Sequence, residues 1–218
     1  GYTYILTEKE RAKSYTEFLQ AQPLGVEKRP RYNPHSKPTD LSNVSNLIAS
    51  YNMIPSANGV LTDTSGGGGN GTIQGPISTL AGLKFDGVDD DIPLFIAADP
   101  AATVKTICFR IKLDSTTEAI LQGGVGTELV YANAGTLTYA DYDNAYINGI
   151  DTDTVAADQW LNIVVVSSIA VSNVTATLGL NDTTYGAFEI EDLKFYSIEF
   201  SAQQAREYHN SYAKRVVL

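Results

Sequence analysis

From about Leu41 onward, apolar and polar positions alternate in short runs separated by Gly, Asn, Asp and Thr, the texture of strands joined by tight turns. The clearest run is Thr106-Ile107-Cys108-Phe109-Arg110-Ile111-Lys112-Leu113. Ile107, Phe109, Ile111 and Leu113 share one face, while Thr106, Cys108, Arg110 and Lys112 share the other. This predicts a strand with one side on a core and one side in water. Trp160-Leu161-Asn162-Ile163-Val164-Val165-Val166 turns apolar on both faces and reads as a central strand. Phe109, Trp160 and Leu193 are expected to meet between two sheet layers. Tyr146-Ile147-Asn148-Gly149-Ile150 sets Asn-Gly between strand formers, the strongest short-range hairpin signal. Weaker strands are expected over 47–53, 83–85, 119–122, 129–131, 137–139 and 174–180. Further on, Phe188, Ile190, Leu193 and Phe195 stay in alternation only with one extra residue at Glu191-Asp192, which predicts a bulge.

Two stretches have the helical period instead. Ser201 to Gln204 forms a capping box ahead of a stripe of Ala202, Ala205, Tyr208 and Tyr212. Thr7-Glu8-Lys9-Glu10 forms another ahead of Ala12, Tyr15, Phe18 and Leu19, and Pro23 and Gly25 end that helix. Pro30, Pro34 and Pro38 then forbid a helix and favour an extended arm. The expected fold is therefore all-β: a two-sheet antiparallel β-sandwich of jelly-roll type over 41–218, with a C-terminal helix. A short helix and an extended arm precede it over 1–40.

Charge divides the chain in the same place. Residues 1–38 hold seven bases and four acids, and the rest hold eight bases and twenty-one acids, for a formal net charge of −10. A charge of that sign excludes general binding to nucleic acid or anionic membranes, since sequence-independent phosphate binding needs positive charge. No apolar run approaches the ~18 residues of a membrane span, so no membrane insertion is expected. One cysteine cannot build a disulfide framework or a cysteine zinc site, and two histidines leave little for a histidine metal centre. Within the basic arm, Lys28, Arg29, Arg31 and Tyr32 are expected to dock a protein partner in an assembly.

Four segments in order resemble the laminin-G-like branch of the concanavalin-A-like sandwiches. Leu47 to Met53, followed by Leu61-Thr62-Asp63-Thr64-Ser65 and a Gly/Asn-rich loop, is similar to that family's opening strand and turn. Leu83-Lys84-Phe85-Asp86-Gly87-Val88-Asp89-Asp90-Asp91-Ile92 is similar to its L-x-F-D-G-x-D-D-Y-V strand pair. Tyr146-Ile147-Asn148-Gly149 with Gln159-Trp160 resembles its Y-x-N-G hairpin and following strand. Gly186 to Tyr196 with Phe200-Ser201 and Tyr208 to Tyr212 resembles its closing block, with Glu191 where the family usually has Asp. The resemblance covers roughly 41–213 and implies a fold more than a function, because this sandwich hosts lectins, glycosidases, adhesion modules and structural parts.

Candidate chemistry is sparse. A retaining glycosidase needs a carboxyl pair ~5–5.5 Å apart. Glu189 and Glu191 offer only a fragment of the E-x-D-x-x-E arrangement, since Leu193 and Lys194 occupy the third carboxylate position. Cys108 with His35 or His209 lacks any surrounding nucleophile motif. Gly66 to Gly71 lacks the Lys-Ser/Thr ending of a phosphate cradle and reads as a flexible loop between strands. Calcium is the cofactor the resemblance implies, and Asp63, Asp86, Asp89 and Asp90 are its candidate ligands, with Asp91 beside them near predicted turns. Tyr131, Asn133, Tyr139, Asp141, Tyr142, Asp143 and Tyr146 mix flat aromatic faces with side-chain oxygens, the combination that recognises a sugar. The expected function is a non-catalytic structural or attachment module with glycan-binding capacity. It would sit on a virion, as capsid decoration, fibre or tail, or on another extracellular surface. A free or cell-surface lectin is the alternative, and a glycoside hydrolase is the third reading.

Overall fold

The strands close over one another as the alternation requires. The computed structural model describes residues 46–67, 69–96, 103–123, 128–171 and 175–213. The helix and arm expected over 1–40, with Lys28, Arg29, Arg31 and Tyr32, lie outside the described residues. In chain order the strands are β1 (Leu47–Tyr51), β2 (Val60–Leu61), β3 (Gly71–Thr72), β4 (Ile77–Ser78), β5 (Leu83–Asp86) and β6 (Ile92–Phe95). There follow β7 (Val104–Leu113), β8 (Glu118–Gly123), β9 (Glu128–Asn133), β10 (Thr136–Tyr139), β11 (Asn144–Ile147) and β12 (Ile150–Asp151). The last are β13 (Trp160–Val171), β14 (Thr175–Leu178), β15 (Leu180–Asn181), β16 (Thr184–Tyr185) and β17 (Ala187–Tyr196), ahead of helix α1 (Ala202–Ala213).

Two antiparallel sheets form the sandwich. The larger has eight strands in the order β12-β11-β13-β7-β17-β5-β4, with β1 also pairing β17, and the smaller runs β10-β9-β8-β14-β6. Phe109, Ile111, Leu193 and Phe195 from the larger sheet meet Leu121, Val130, Ala176 and Leu178 from the smaller in one buried core. The Asn148-Gly149 turn joins β11 to β12 with φ of 54° and 76°, the left-handed pair that a type I′ hairpin needs.

The expected bulge is present and decides which side chains face out. Register between β17 and β7 shifts between Ile190 and Asp192, leaving Glu191 as the extra residue. Because side chains alternate with period two, that one residue keeps Leu193 and Phe195 inside and turns Asp192, Lys194 and Tyr196 outward. It also marks a change of neighbour. Before it, β17 pairs β5 through Ala187↔Asp86 and Ile190↔Leu83; after it, β17 pairs β1 through Leu193↔Tyr51 and Tyr196↔Leu47.

Three expectations need correcting. The face of β7 expected to be wet is largely dry: Cys108 joins Tyr146, Val164, Tyr196, Phe200, Ala205, Tyr208 and Tyr212 in a second core beneath α1. Strand alternation shows which way a side chain points, and it says nothing about a helix arriving more than ninety residues later to cover it. Trp160 does not join Phe109 and Leu193. It points outward, with the Arg110 guanidinium 5.0 Å from its ring centroid. Ala202 is exposed, although Ala205, Tyr208 and Tyr212 of the same stripe are buried. The capping box is formed: Ser201 N donates to Gln204 Oε1 at 2.9 Å, and Gln204 N donates to Ser201 Oγ at 3.3 Å.

At Gly69 the glycine-rich segment, expected as a flexible loop, is tied to the sandwich. The Tyr51 hydroxyl donates to Gly69 O at 2.7 Å, and a Cβ on Gly69 would lie 1.3 Å from Phe95 O. Only glycine lets this backbone close on the edge of the smaller sheet.

Candidate functional site

The change of neighbour along β17 leaves a gap. β1 stops at Tyr51 and β5 begins at Leu83, so neither strand covers the bulge between their pairing regions. The gap is a cleft of about 510 Å³. Asn52 to Pro55 form one wall, Ser78 to Gly82 the other, and Glu191, Asp192, Lys194 and Tyr212 the floor. Gly82 permits the close approach, since a Cβ there would lie 1.9 Å from Ile190 O.

Floor chemistry centres on Asp192, whose side chain is only 5% exposed. Its Oδ2 accepts from the hydroxyls of Tyr208 and Tyr212 and from Lys194 Nζ. Behind it runs a second chain of contacts. Arg110 Nε donates to Glu191 Oε2 at 2.6 Å, and Arg110 Nη1 donates to Asn162 Oδ1 at 3.2 Å. With that oxygen facing the guanidinium, the Asn162 amide nitrogen faces His209 Nδ1 at 2.9 Å, so Nδ1 is the acceptor and the proton sits on Nε2. The walls differ in character. Leu80 and Ile54 are exposed aliphatic lips, whereas Asn52 and Ser78 are exposed and make no side-chain hydrogen bond with the described residues.

His209 carries a pH prediction. Burial, and then the nearby Arg110 charge, push its pKa below the ordinary value. A histidine with a lowered folded pKa binds its proton more weakly than the unfolded chain does, so folding stability falls as pH drops through about 6.5. Chemical denaturation at pH 7.5 and 5.5 is expected to show a loss that His209→Gln reduces; an equal loss in both proteins would rule out this origin.

The structure scatters the tyrosines expected to bind sugar. Tyr142 lies in the inter-sheet core and Tyr146 in the core beneath α1. Tyr139 is half-buried, packed against the inter-sheet core, whereas Tyr131 lies opposite Thr138 on the neighbouring strand. Asn133 and Asp141 are exposed, and Asp143 is engaged with the Ser168 amide and hydroxyl, which lower its pKa. Seven residues close in sequence thus fall on several surfaces, because the chain reverses between β9 and β10 and then crosses to the larger sheet for β11.

The aspartates divide three to one. Asp86, Asp89 and Asp90 each place a carboxylate oxygen within 4.8 Å of the others at the β5–β6 turn. Asp90 Oδ2 accepts from Asp86 N and Asp86 Oδ1 from Val88 N, both at 2.8 Å. Burial, with Asp86 and Asp89 as like charges, raises the Asp90 pKa although the Asp86 amide opposes the shift. Asp63 is elsewhere, accepting from Ser50 N, Ser65 N and Ser65 Oγ, and so it ties β1 to the following loop. Asp91 bridges to Gln74 and is outside the trio.

The other catalytic candidates are occupied. Glu189 accepts from the Thr79 hydroxyl and Glu191 from Arg110. Cys108 is fully buried, and burial pushes its thiol pKa well up, away from a nucleophilic thiolate. His35 lies outside the described residues.

No family model matches this chain, and no curated protein matches it in sequence. Among solved structures, the receptor-binding domain of botulinum neurotoxin C/D mosaic serotype matches with a TM-score of 0.54 at 14% identity, over 76% of this chain and 51% of that one. The botulinum neurotoxin serotype D binding domain matches at 0.54 and 13%, over 76% and 52%. Trypanosoma rangeli sialidase, solved in complex with sialic acid, matches at 0.57 and 11%, over 77% of this chain and 33% of that one. The chain therefore spans about half the length of the first two and a third of the last. At these identities the likeness shows a shared β-sandwich fold.

Apart from Glu191, weighed as a glycosidase carboxylate, the cleft residues were not expected from sequence to form a site. Two signals pointed at its floor, the bulge at Glu191-Asp192 and the tyrosine stripe of the last helix. Nothing local connected Asn52 and Ser78 to either.

Proposed function

We propose that this sandwich is a non-catalytic attachment module of the laminin-G-like kind and that it holds a carbohydrate in the β17 cleft. The observation that carries the reading is the cleft's make-up: a polar floor, unengaged Asn52 and Ser78 groups, and aliphatic lips at Ile54 and Leu80. A sugar presents hydroxyls at its rim and C–H groups on its faces, and about 510 Å³ falls within the range of small-ligand sites. The neighbours named for receptor binding and for a sialic acid complex support the same class. The absence of catalysis rests on the carboxylates: Glu191 is held by Arg110 and Glu189 by Thr79, an arrangement unlike an acid and a nucleophile poised on one bond. A virion or other extracellular surface, with a protein partner at the 1–40 segment, completes the proposal.

Calcium belongs to this reading only at Asp86, Asp89 and Asp90. Their chemistry fits a hard cation, which takes oxygen ligands and would offset the mutual repulsion of the trio. When bound, the ion would supply rigidity to the β5–β6 turn.

A glycan array probed with and without chelator tests the proposal, paired with melting curves in calcium. Binding to at least one oligosaccharide family is expected, and Ala81→Trp, which fills the mouth of the cleft, is expected to abolish it while changing stability by about 0.5 kcal/mol or less. Calcium at a hundredfold excess over its dissociation constant is expected to stabilise the fold by about 2.7 kcal/mol, and Asp89→Asn to remove that gain. Silence across the array would overturn the glycan reading, and an unchanged melt would reduce the aspartates to turn caps.

A further inference from the structure

Resting on the glycan reading above, we propose that the cleft selects neutral, hydroxyl-bearing sugars and rejects those bearing a carboxylate or sulfate. An anionic sugar is held most strongly by a cation able to face it, and here Lys194 in the lining and Arg110 behind the floor are both engaged with protein carboxylates. Lys194 Nζ donates to Asp192 Oδ2 and lies 5.9 Å from the Tyr208 ring centroid. Arg110 donates to Glu191 and Asn162, and its guanidinium lies 5.0 Å from the Trp160 ring centroid and 5.1 Å from that of Tyr212. A sialic acid carboxylate entering the cleft would have to share Lys194 with Asp192, whose charge already offsets it, and would lie beside Asp192 and Glu191 as a like charge.

The lining charges point the same way. Glu191 and Asp192 face the cleft with Lys194 as their one cationic neighbour in the lining. Beyond the cleft, residues 39–218 carry twenty-one acids against eight bases, so the long-range field also repels anions. What the cleft does offer suits hydroxyl groups. Asp192 Oδ1 takes no hydrogen bond from the described residues, and Asn52 and Ser78 can each donate and accept. A solved relative in fold holds sialic acid, yet the groups lining this cleft are arranged for a different class of sugar.

The test is an array of galactose-, glucose-, mannose- and N-acetylhexosamine-terminated oligosaccharides printed beside the same chains carrying sialic acid, sulfate or uronic acid. The neutral member of a bound pair is expected to bind at least about tenfold more tightly, because like-charge juxtaposition costs several kcal/mol. Glu191→Gln keeps an oxygen for Arg110 and removes one negative charge, so it is expected to narrow that ratio several-fold. Preference for the sialylated or sulfated member would overturn this inference and leave the glycan reading standing. An unchanged ratio in Glu191→Gln would also overturn it, since charge would not be the cause. Binding to neither member would remove the glycan reading, and this inference with it.

Discussion

Asp192→Ala is expected to destabilise the fold by about 3–5 kcal/mol, the range seen when one partner of a buried ionic contact is removed. Asp192 Oδ2 is the shared acceptor for the Tyr208 and Tyr212 hydroxyls, both of which lie beneath α1. Without it, two buried hydroxyls lose this acceptor, at about 1–3 kcal/mol for a hydroxyl left unpaired, and Lys194 loses its counter-charge. Lys194 is partly exposed and can turn toward water, so most of the loss falls on the tyrosines. Within its described residues the helix carries no acidic residue in its first turn and no basic one in its last, and it is held to the sheet by this clasp, the Asn162–His209 contact, the Arg110 guanidinium over the Tyr212 ring and apolar packing. Urea denaturation and amide exchange in α1 check the prediction, with α1 amides exchanging faster than those of β7. A loss under about 1 kcal/mol would mean that water replaces the carboxylate. Asp192→Asn keeps an acceptor and is expected to lose less than the alanine variant.

A loss of similar size is expected at the opposite face. Phe85→Ala removes a fully buried ring from the inter-sheet core and should cost about 3–5 kcal/mol. Phe85 and Phe188 are directly paired across β5 and β17, with ring centroids 4.5 Å apart and planes at 24°. The turn after β14 presses on the same ring: Gly179 has φ of +87°, and a Cβ there would lie 2.6 Å from Phe85 Cδ1. Gly179→Ala is therefore destabilising on its own, through backbone strain and collision. In the double variant the absent ring vacates the space, so the combined loss should be smaller than the sum of the two single losses. Denaturation of all four proteins closes the cycle. Strict additivity would show that Gly179 is required for its backbone angle and its closeness to Asp90 O, 2.8 Å from such a Cβ, rather than for room beside the ring.

These two sites also show how far local pattern reaches. Ile107, Phe109, Ile111, Phe188, Ile190, Leu193 and Phe195 were legible as inward positions because alternation with period two is a property of the strand itself. The I′ hairpin at Asn148-Gly149, the capping box at Ser201 and the bulge at Glu191 were legible for a related reason: each is set by a few neighbouring residues with restricted backbone or hydrogen-bonding options. The residues from Tyr131 to Tyr146 lie apart in the structure for the converse reason. Nearness in sequence stood in for nearness in space, and the chain changes strand and sheet inside that interval.

By itself, then, the sequence determined the all-β sandwich, the inward face of β7 and β17, and the turns and caps that punctuate them, because these depend on contacts within a few residues. Only the tertiary structure decided that Cys108 and Tyr196 would be roofed by α1, and that Trp160 would stack with Arg110 outside the core. It alone decided that Asn52, Ser78, Asp192 and Tyr212 would line one cleft. Alternation fixes the direction of a side chain, but what lies above it depends on which strands end beside one another and on where the last helix comes to rest. Those are set by burial summed over the whole chain.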